Sequence, residues 1–247
     1  MTESTTASVA TPPAQPTFWE DLIDIFYAPA GVFRRWQSKS VWPPMLFVAI
    51  VIGVIVALTF NVLEPVLDAE IVRSTAQQAK SSGGPAPTAE QLAVGRKIGL
   101  AVARYGISIL TLITMFIVGT GSWLVGKLFK SKQTYHAALV VAAWAYMPRL
   151  LGTVANGVQG LLMDASQMKS VQALSLGPVR FFDVETTNPL LFQVLGRFDL
   201  MIIWEIVLLA IGLYVTGKVS KSNAALFGVL IWFLGGVLAF RQGYLAM

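Results

Sequence analysis

Five apolar stretches, each long enough to cross a lipid bilayer, occupy most of the chain after residue 41. An α-helix rises about 1.5 Å per residue, so about 20 apolar residues cover the roughly 30 Å hydrocarbon core. The predicted spans are residues 42–63, 101–126, 137–158, 198–217 and 224–240. The sequence therefore predicts an all-α fold: a polytopic helical membrane protein with five transmembrane helices.

Charged residues are scarce, which favours the same fold class. They make up 13% of the 247 residues, whereas soluble domains carry about 25%. Hydrophobic residues make up 55%, and the mean hydropathy is +0.66. In a soluble protein, the net charge of +5 would raise the question of nucleic acid. Here the basic residues lie in short loops between apolar runs, so we expect a lipid bilayer and no nucleic acid as partner.

The first residues differ in composition from the rest of the chain. Residues 1–17 are rich in Thr, Ser, Ala and Pro and contain no Lys or Arg. They lack the basic and apolar regions of a cleavable signal peptide. We predict that residues 1–17 form a disordered tail and that residues 18–247 form the membrane domain.

Residues 18–36 combine large apolar side chains with charges. The apolar side chains recur at roughly helical spacing, and Glu20, Asp21 and Asp24 fall on the other side. This pattern predicts an N-terminal amphipathic helix that lies on the membrane interface. Pro29 is expected to end it, because proline removes a backbone hydrogen bond, and could start a second short turn.

Two longer polar segments separate the spans. Residues 64–87 are predicted to form a loop, after which Thr88 and Gln91 have the spacing of a capping box that starts the next helix in water. Residues 159–197 are mixed in character, with a short surface helix predicted at 189–195.

The distribution of basic residues predicts the topology. One side of the membrane would hold eight of them: Arg34, Arg35, Lys39, Lys127, Lys130, Lys132, Lys218 and Lys221. The positive-inside rule assigns this side to the cytoplasm. We expect a multi-pass protein of the bacterial cytoplasmic (inner) membrane, with a cytoplasmic N-terminus and an external C-terminus.

Two formal charges of opposite sign lie within predicted spans, Arg149 in the third and Glu205 in the fourth. Helical rise puts Arg149 about 18 Å, and Glu205 about 20 Å, from the cytoplasmic face of a 30 Å core. Because an ionisable group inside a membrane is costly, such residues usually pair or face a watery cavity. We therefore predict an ion pair, which acts either as a structural clasp, the favoured interpretation, or as a proton or ion site or a gate.

Other residues near this pair also carry predictions. Pro148 should bend the third span, as a static kink or as a hinge. Arg104, at the outer end of the second span, is a rival partner for Glu205. Asp199 and Arg197 lie at the outer mouth of the fourth span and are expected to be solvated.

No recognisable catalytic or metal-binding motif is present. The chain has no cysteine and a single histidine, His136, for which an interfacial hydrogen bond is favoured over metal binding. We expect no cofactor, no metal and no enzymatic activity. Two functions remain open: a membrane scaffold, or a small transporter or channel that uses the Arg149–Glu205 pair.

Several stretches together carry a family resemblance. IFYAPAGVFRRW precedes the first span, and SKQTYHAALVVAAWAYMPRLL carries Tyr146 two residues before Pro148. RFDLMIIWEIVLLAIGLYVTGKVSKSNAAL carries Asp199 and Trp204 at the start of the fourth span. This pattern resembles the bacterial branch of the Yip family of integral membrane proteins, whose eukaryotic members interact with Rab-type small GTPases.

The resemblance implies five spans with a cytoplasmic N-terminus and an external C-terminus. The Asp-Leu-Tyr-Gly-Pro motif of the eukaryotic members is missing here, so Rab binding is not implied. The implied role is that of a scaffold, assembly factor or membrane-organising protein, with other membrane proteins or a second copy as partners.

Overall fold

The computed structural model describes residues 16–81, 83, 85–164 and 167–247, and the regular structure in this part of the chain is entirely helical. Most of the tail predicted over residues 1–17 lies outside the described residues. The α-helices are α1 (Phe18–Tyr27), α2 (Pro29–Trp36), α3 (Trp42–Ser81), α4 (Ala89–Ala101), α5 (Ile107–Leu128), α6 (Tyr135–Ala145), α7 (Met147–Leu162), α8 (Pro189–Gly196), α9 (Leu200–Gly217) and α10 (Lys221–Leu245).

Shorter helical segments complete the fold. A π-helical segment, Val102–Gly106, joins α4 to α5, and 3-10 helices at Val171–Leu174 and Pro178–Phe181 lie between α7 and α8. The surface helix predicted at 189–195 is confirmed as α8.

Five helical stretches of the described chain are long and apolar enough to cross a membrane: Trp42–Ala79, Ala89–Leu128, Tyr135–Leu162, Leu200–Gly217 and Lys221–Leu245. Each predicted span falls largely within one of them. The predicted all-α polytopic architecture is confirmed.

The loop predicted over residues 64–87 is wrong for residues 64–81, because α3 continues to Ser81 with Pro65 inside it. The polar half of α3 packs against α4, and Arg96 donates two hydrogen bonds to Asp68, at 2.6 and 2.5 Å. The polar composition of residues 64–81 suggests a loop, but these residues form a helix because α4 packs against them. The predicted helix start is confirmed, since Thr88 and Gln91 form a reciprocal capping box.

Helix α6 is the centre of the bundle, and all of its residues from Ala137 to Ala145 are buried. Glycines of the neighbouring helices allow this close packing. A Cβ placed on Gly212 of α9 would lie 2.2 Å from Val141, and one placed on Gly119 of α5 would lie 2.7 Å from Leu139. Small residues let helix backbones approach closely in membranes, where packing replaces the hydrophobic driving force.

The N-terminal amphipathic segment forms a helical hairpin, α1–α2, with the helix break expected at Pro29. Thr17 and Glu20 form a capping box at its start, and Pro29 begins α2 after the break at Ala28. Contrary to the predicted charged outer face, Asp21 is fully buried. It accepts hydrogen bonds from Arg35 and, at 2.6 Å, from Trp36 Nε1.

The corner of this hairpin lies beside Trp204, near the start of α9. Phe26 packs on Trp204 with ring centroids 5.4 Å apart. The end of α9 that carries Gly217 is tied to the basic loops, because Lys132 N–H donates to the Gly217 carbonyl at 2.9 Å. Helical rise puts Trp204 about 20 Å from that end. We therefore predict a re-entrant hairpin, which membranes tolerate where backbone groups are paired within helices.

We predict that a cysteine replacing Tyr27, at the hairpin corner, escapes water-soluble maleimide in intact membranes. Tyr27 is 83% exposed on the protein surface, but at this depth it would face lipid. A cysteine at Gln37, exposed at the end of α2 near the basic loops, should label readily. The chain has no native cysteine to interfere.

Labelling is measured by mass shift, with complete labelling of both variants in SDS as the control. Equal labelling of the two positions in membranes would show a hairpin that lies on the interface.

Candidate functional site

The structure brings Arg149 and Glu205 together, with Arg149 Nε donating to Glu205 Oε2 at 2.5 Å. A break in the third span positions the arginine. Helix α6 ends at Ala145 and α7 begins at Met147, with Pro148 in its first turn. The chain therefore changes helix where Pro148 was expected to bend it, and Arg149 follows on the first turn of α7.

The two partners differ in environment. Glu205 is only 3% exposed, in the face of α9 that packs on the core. The Arg149 side chain is 34% exposed. Its Nη atoms make no hydrogen bond to any described residue, and its guanidinium carbon lies 5.8 Å from the centre of the Tyr146 ring. The carboxylate is thus enclosed, while one edge of the guanidinium stays available.

Arg149 lines a polar cavity of about 410 Å³ between α3, α5, α7, α9 and the segment that precedes α8. Polar and apolar side chains share its wall: Ile52, Ile107, Thr111, Tyr146, Arg149, Thr153, Asn156, Val171, Gln172, Ser175, Leu176, Val179, Asp199, Met201 and Ile202, with Gly152 and Gly196. The cavity thus lies between the transmembrane helices and the long connection from α7 to α9.

Asp199 joins that connection to α9 and is not free in solvent as predicted. Its Oδ1 accepts from the Met201 N–H at 2.9 Å and caps α9. Its Oδ2 accepts from Ser175 Oγ at 2.7 Å and from the Leu176 N–H at 2.8 Å. Sequence alone gave no signal for these donors, which lie more than twenty residues earlier in the chain.

Arg197 is also held by the protein, which corrects the prediction that it is solvated. Its Nη2 donates to the Trp232 carbonyl, and Trp232 Nε1 donates to the Arg197 carbonyl, both at 2.9 Å. Burial lowers the pKa of the Arg197 guanidinium, and the like charge of Arg149 lowers it further. This arginine therefore ties the start of α9 to α10.

The remaining candidates lie apart from the ion pair. Arg104 does not reach Glu205, because its guanidinium lies 5.0 Å from the centre of the Phe60 ring. Trp204 contacts the N-terminal hairpin and is not a cavity residue. His136 Nε2 lies 2.8 Å from the Lys39 carbonyl, which is the interfacial hydrogen bond expected for it.

Sequence reasoning missed five polar cavity residues: Thr111, Thr153, Asn156, Gln172 and Ser175. Thr111 and Asn156 interrupt apolar helices, which is the signal that could have identified them. No such signal identifies Gln172, because it lies in the connection between α7 and α8. Its Oε1 is buried without a hydrogen-bond partner among the described residues, and such a group costs about 1–3 kcal/mol.

The main apolar core adjoins the cavity, because Ile52 belongs to both. No group of three His, Cys, Asp or Glu side chains in the described chain is arranged to hold a metal ion. The arrangement therefore combines an ion pair whose carboxylate partner is buried with a polar cavity.

The fold and this ion pair define a polytopic helical membrane protein with a polar centre. A family model described as the Yip1 domain matches residues 23–241, and the chain belongs to that family. The chain is similar to membrane protein YknW of Bacillus subtilis (strain 168), with 29% identity over 218 residues that cover 86% of this chain and 87% of the relative. No solved structure matches the chain.

We predict that Arg149→Gln and Glu205→Gln each destabilise the protein, and that the double variant is less destabilised than their sum. Each single change leaves one charge without its partner in a low-dielectric site. The coupling energy of such contacting pairs is about 0.5–3 kcal/mol. Reversible unfolding in a fixed detergent measures it.

The matched control cycle combines Glu205→Gln with Arg104→Gln, since Arg104 makes no contact with the pair. That cycle should be additive. Additivity of the Arg149–Glu205 cycle as well would contradict a structural clasp.

Proposed function

We propose that this protein is a non-enzymatic scaffold or assembly factor of the membrane, and not a transporter. The observation that carries the proposal is the complete burial of α6 from Ala137 to Ala145. A transport pathway needs polar lining or water through the membrane. An apolar helix packed on all sides in the middle of the bundle opposes such a pathway and favours a rigid body.

The N-terminal hairpin supports a role in binding other membrane proteins. Its α1 helix turns Trp19, Ile23 and Tyr27 outward on one face, at 67%, 62% and 83% exposure. The opposite face is fixed to the core through Asp21 and Trp36. A fixed row of large side chains suits contact with a partner, because aromatic residues supply much of the energy of protein interfaces.

A small transporter remains the second candidate, because the cavity beside Arg149 is polar and large enough for a solute. Alternating access would require α6 to separate from α5 and α9. The close approach of Gly212 to Val141 makes that separation costly, because it would open the tightest packed contact of α6.

We further propose that the basic loops face the cytoplasm of a bacterial inner membrane, so that the N-terminus is cytoplasmic and the C-terminus external. The short connection at Lys127, Lys130 and Lys132 contains no acidic residue, and such loops are retained inside.

For this topology, we expect cysteines at Lys130 and Thr186 to label from opposite sides of the membrane. Both positions are exposed, in the short basic connection and in the long connection respectively. An impermeant maleimide added to whole cells or spheroplasts should react with Thr186→Cys alone. Inverted vesicles should reverse the result, and labelling of both positions from one side would refute the proposed topology.

The functional proposal predicts a defined membrane partner and no transport. With a photo-crosslinking amino acid at Ile23 in native membranes, we expect a crosslink to one membrane protein or to a second copy. Asp21→Asn should weaken that crosslink, because it removes a charged acceptor that fixes the hairpin. Leu124, comparably exposed on α5, is the matched control position.

Purified protein in liposomes provides the opposing measurement. Proton and ion flux should be no faster than in protein-free liposomes. Flux that depends on Glu205, lost in Glu205→Gln, would overturn the scaffold proposal in favour of the transporter.

A further inference from the structure

We propose that the polar cavity beside Arg149 is a binding site for an oxyanion, a carboxylate or phosphate group, carried on a short apolar body. This inference goes beyond a scaffold function and does not depend on it. It assigns Arg149 a second role: the guanidinium would bind the ligand's oxyanion as well as pair with Glu205.

The geometry of Arg149 leaves it able to bind an anion. Only Nε is used by Glu205. A guanidinium presents its N–H groups in a planar fork, and two parallel N–H bonds are the preferred recognition of a carboxylate or phosphate. The Nη atoms, which lack hydrogen-bond partners among the described residues, therefore remain as a donor edge beside the cavity.

The charge distribution favours an anion over a cation. The Glu205 carboxylate is only 4% exposed and lies behind the guanidinium. Asp199 lines the cavity, but its two oxygens already accept three hydrogen bonds. Of the two charged side chains at the cavity wall, Arg149 is therefore the one with unused hydrogen-bond donors.

Neutral polar groups add to the site. The Thr111 and Tyr146 hydroxyls line the cavity and make no hydrogen bond within the described chain. The Gln172 amide is also without a partner there, and its oxygen is buried. Buried polar groups normally find partners, so this cluster is satisfied best when a polar ligand or water fills the cavity.

The size and the remaining wall define the rest of the ligand. A volume of about 410 Å³ falls within the range of about 300–1,000 Å³ found for small-molecule sites. Ile52, Val179 and Met201 give the cavity an apolar side. A bare inorganic anion would leave this side unused, whereas an organic acid or the headgroup region of an anionic lipid would contact both sides.

Gly196 allows a test that leaves the ion pair intact. It lines the cavity, and a Cβ built on it meets no described atom within 4 Å. The protein can therefore accommodate a leucine at this position of the cavity wall without a clash at its Cβ. Gly121 of α5 has equally open surroundings and does not line the cavity, so Gly121→Leu is the matched control.

The experiment uses full-length protein and two probes. Hexanoate binding to detergent-purified protein is titrated by calorimetry, and phosphatidylglycerol binding against phosphatidylcholine is measured by native mass spectrometry from nanodiscs. We expect Gly196→Leu to weaken binding by at least about tenfold, with unchanged melting temperature, and Gly121→Leu to bind as the wild type. Arg149→Lys, which keeps the charge but loses the fork, should also weaken binding.

The two probes distinguish the sources of the oxyanion. Binding of hexanoate identifies a free organic acid, and selective retention of phosphatidylglycerol alone identifies a lipid headgroup. If neither probe binds, or if Gly196→Leu binds as well as Gly121→Leu, the proposed site is wrong. Neither failure would alter the flux and crosslinking results that test the scaffold function.

Discussion

Helices inside a membrane gain little from hydrophobic association with one another, and this constraint governs the whole structure. Lipid tails are as apolar as the helix surfaces, so association depends on close packing and on polar contacts between helices. Helix α6 meets the first requirement with a run of small and medium side chains against the glycines of α5 and α9. The other helices pack around its buried part, Ala137 to Ala145.

Polar contacts between helices, the second source of association, occur at three successive depths of the bundle. Near the basic loops, buried Gln133 donates to Thr216 at 2.7 Å. At mid-depth Arg149 meets Glu205, and towards the other end Asp199 holds the long connection against α9. Each contact joins segments that are distant in sequence, so together they fix which helices are neighbours and at what depth.

The Arg149–Glu205 pair joins α7 to α9 and adjoins the cavity of the proposed ligand site. A buried ion pair contributes little net stability compared with apolar packing, although the loss of one partner is costly. The contact joins the start of α7 to α9. The break at Tyr146 that brings Arg149 to this position also leaves room for the cavity, so the clasp and the proposed ligand site share one origin.

The lengths of the apolar runs were enough to predict the five spans, because crossing a fixed hydrocarbon thickness is a local requirement. Helical rise likewise predicted that Arg149 and Glu205 lie at similar depth, and the capping box predicted the start of α4 at Thr88. These features depend on neighbouring residues or on simple counting along a helix, and a single sequence contains that information.

Other features were decided only by tertiary structure. Asp21 was assigned to a polar outer face, yet it is buried because its donors, Arg35 and Trp36, return to it after a turn at Ala28. Asp199 finds its partners on a distant connection, and the polar end of α3 stays helical because α4 packs beside it. The sequence by itself determined which segments cross the membrane. The folded chain decided which charges are buried, because burial depends on donors that only folding brings near.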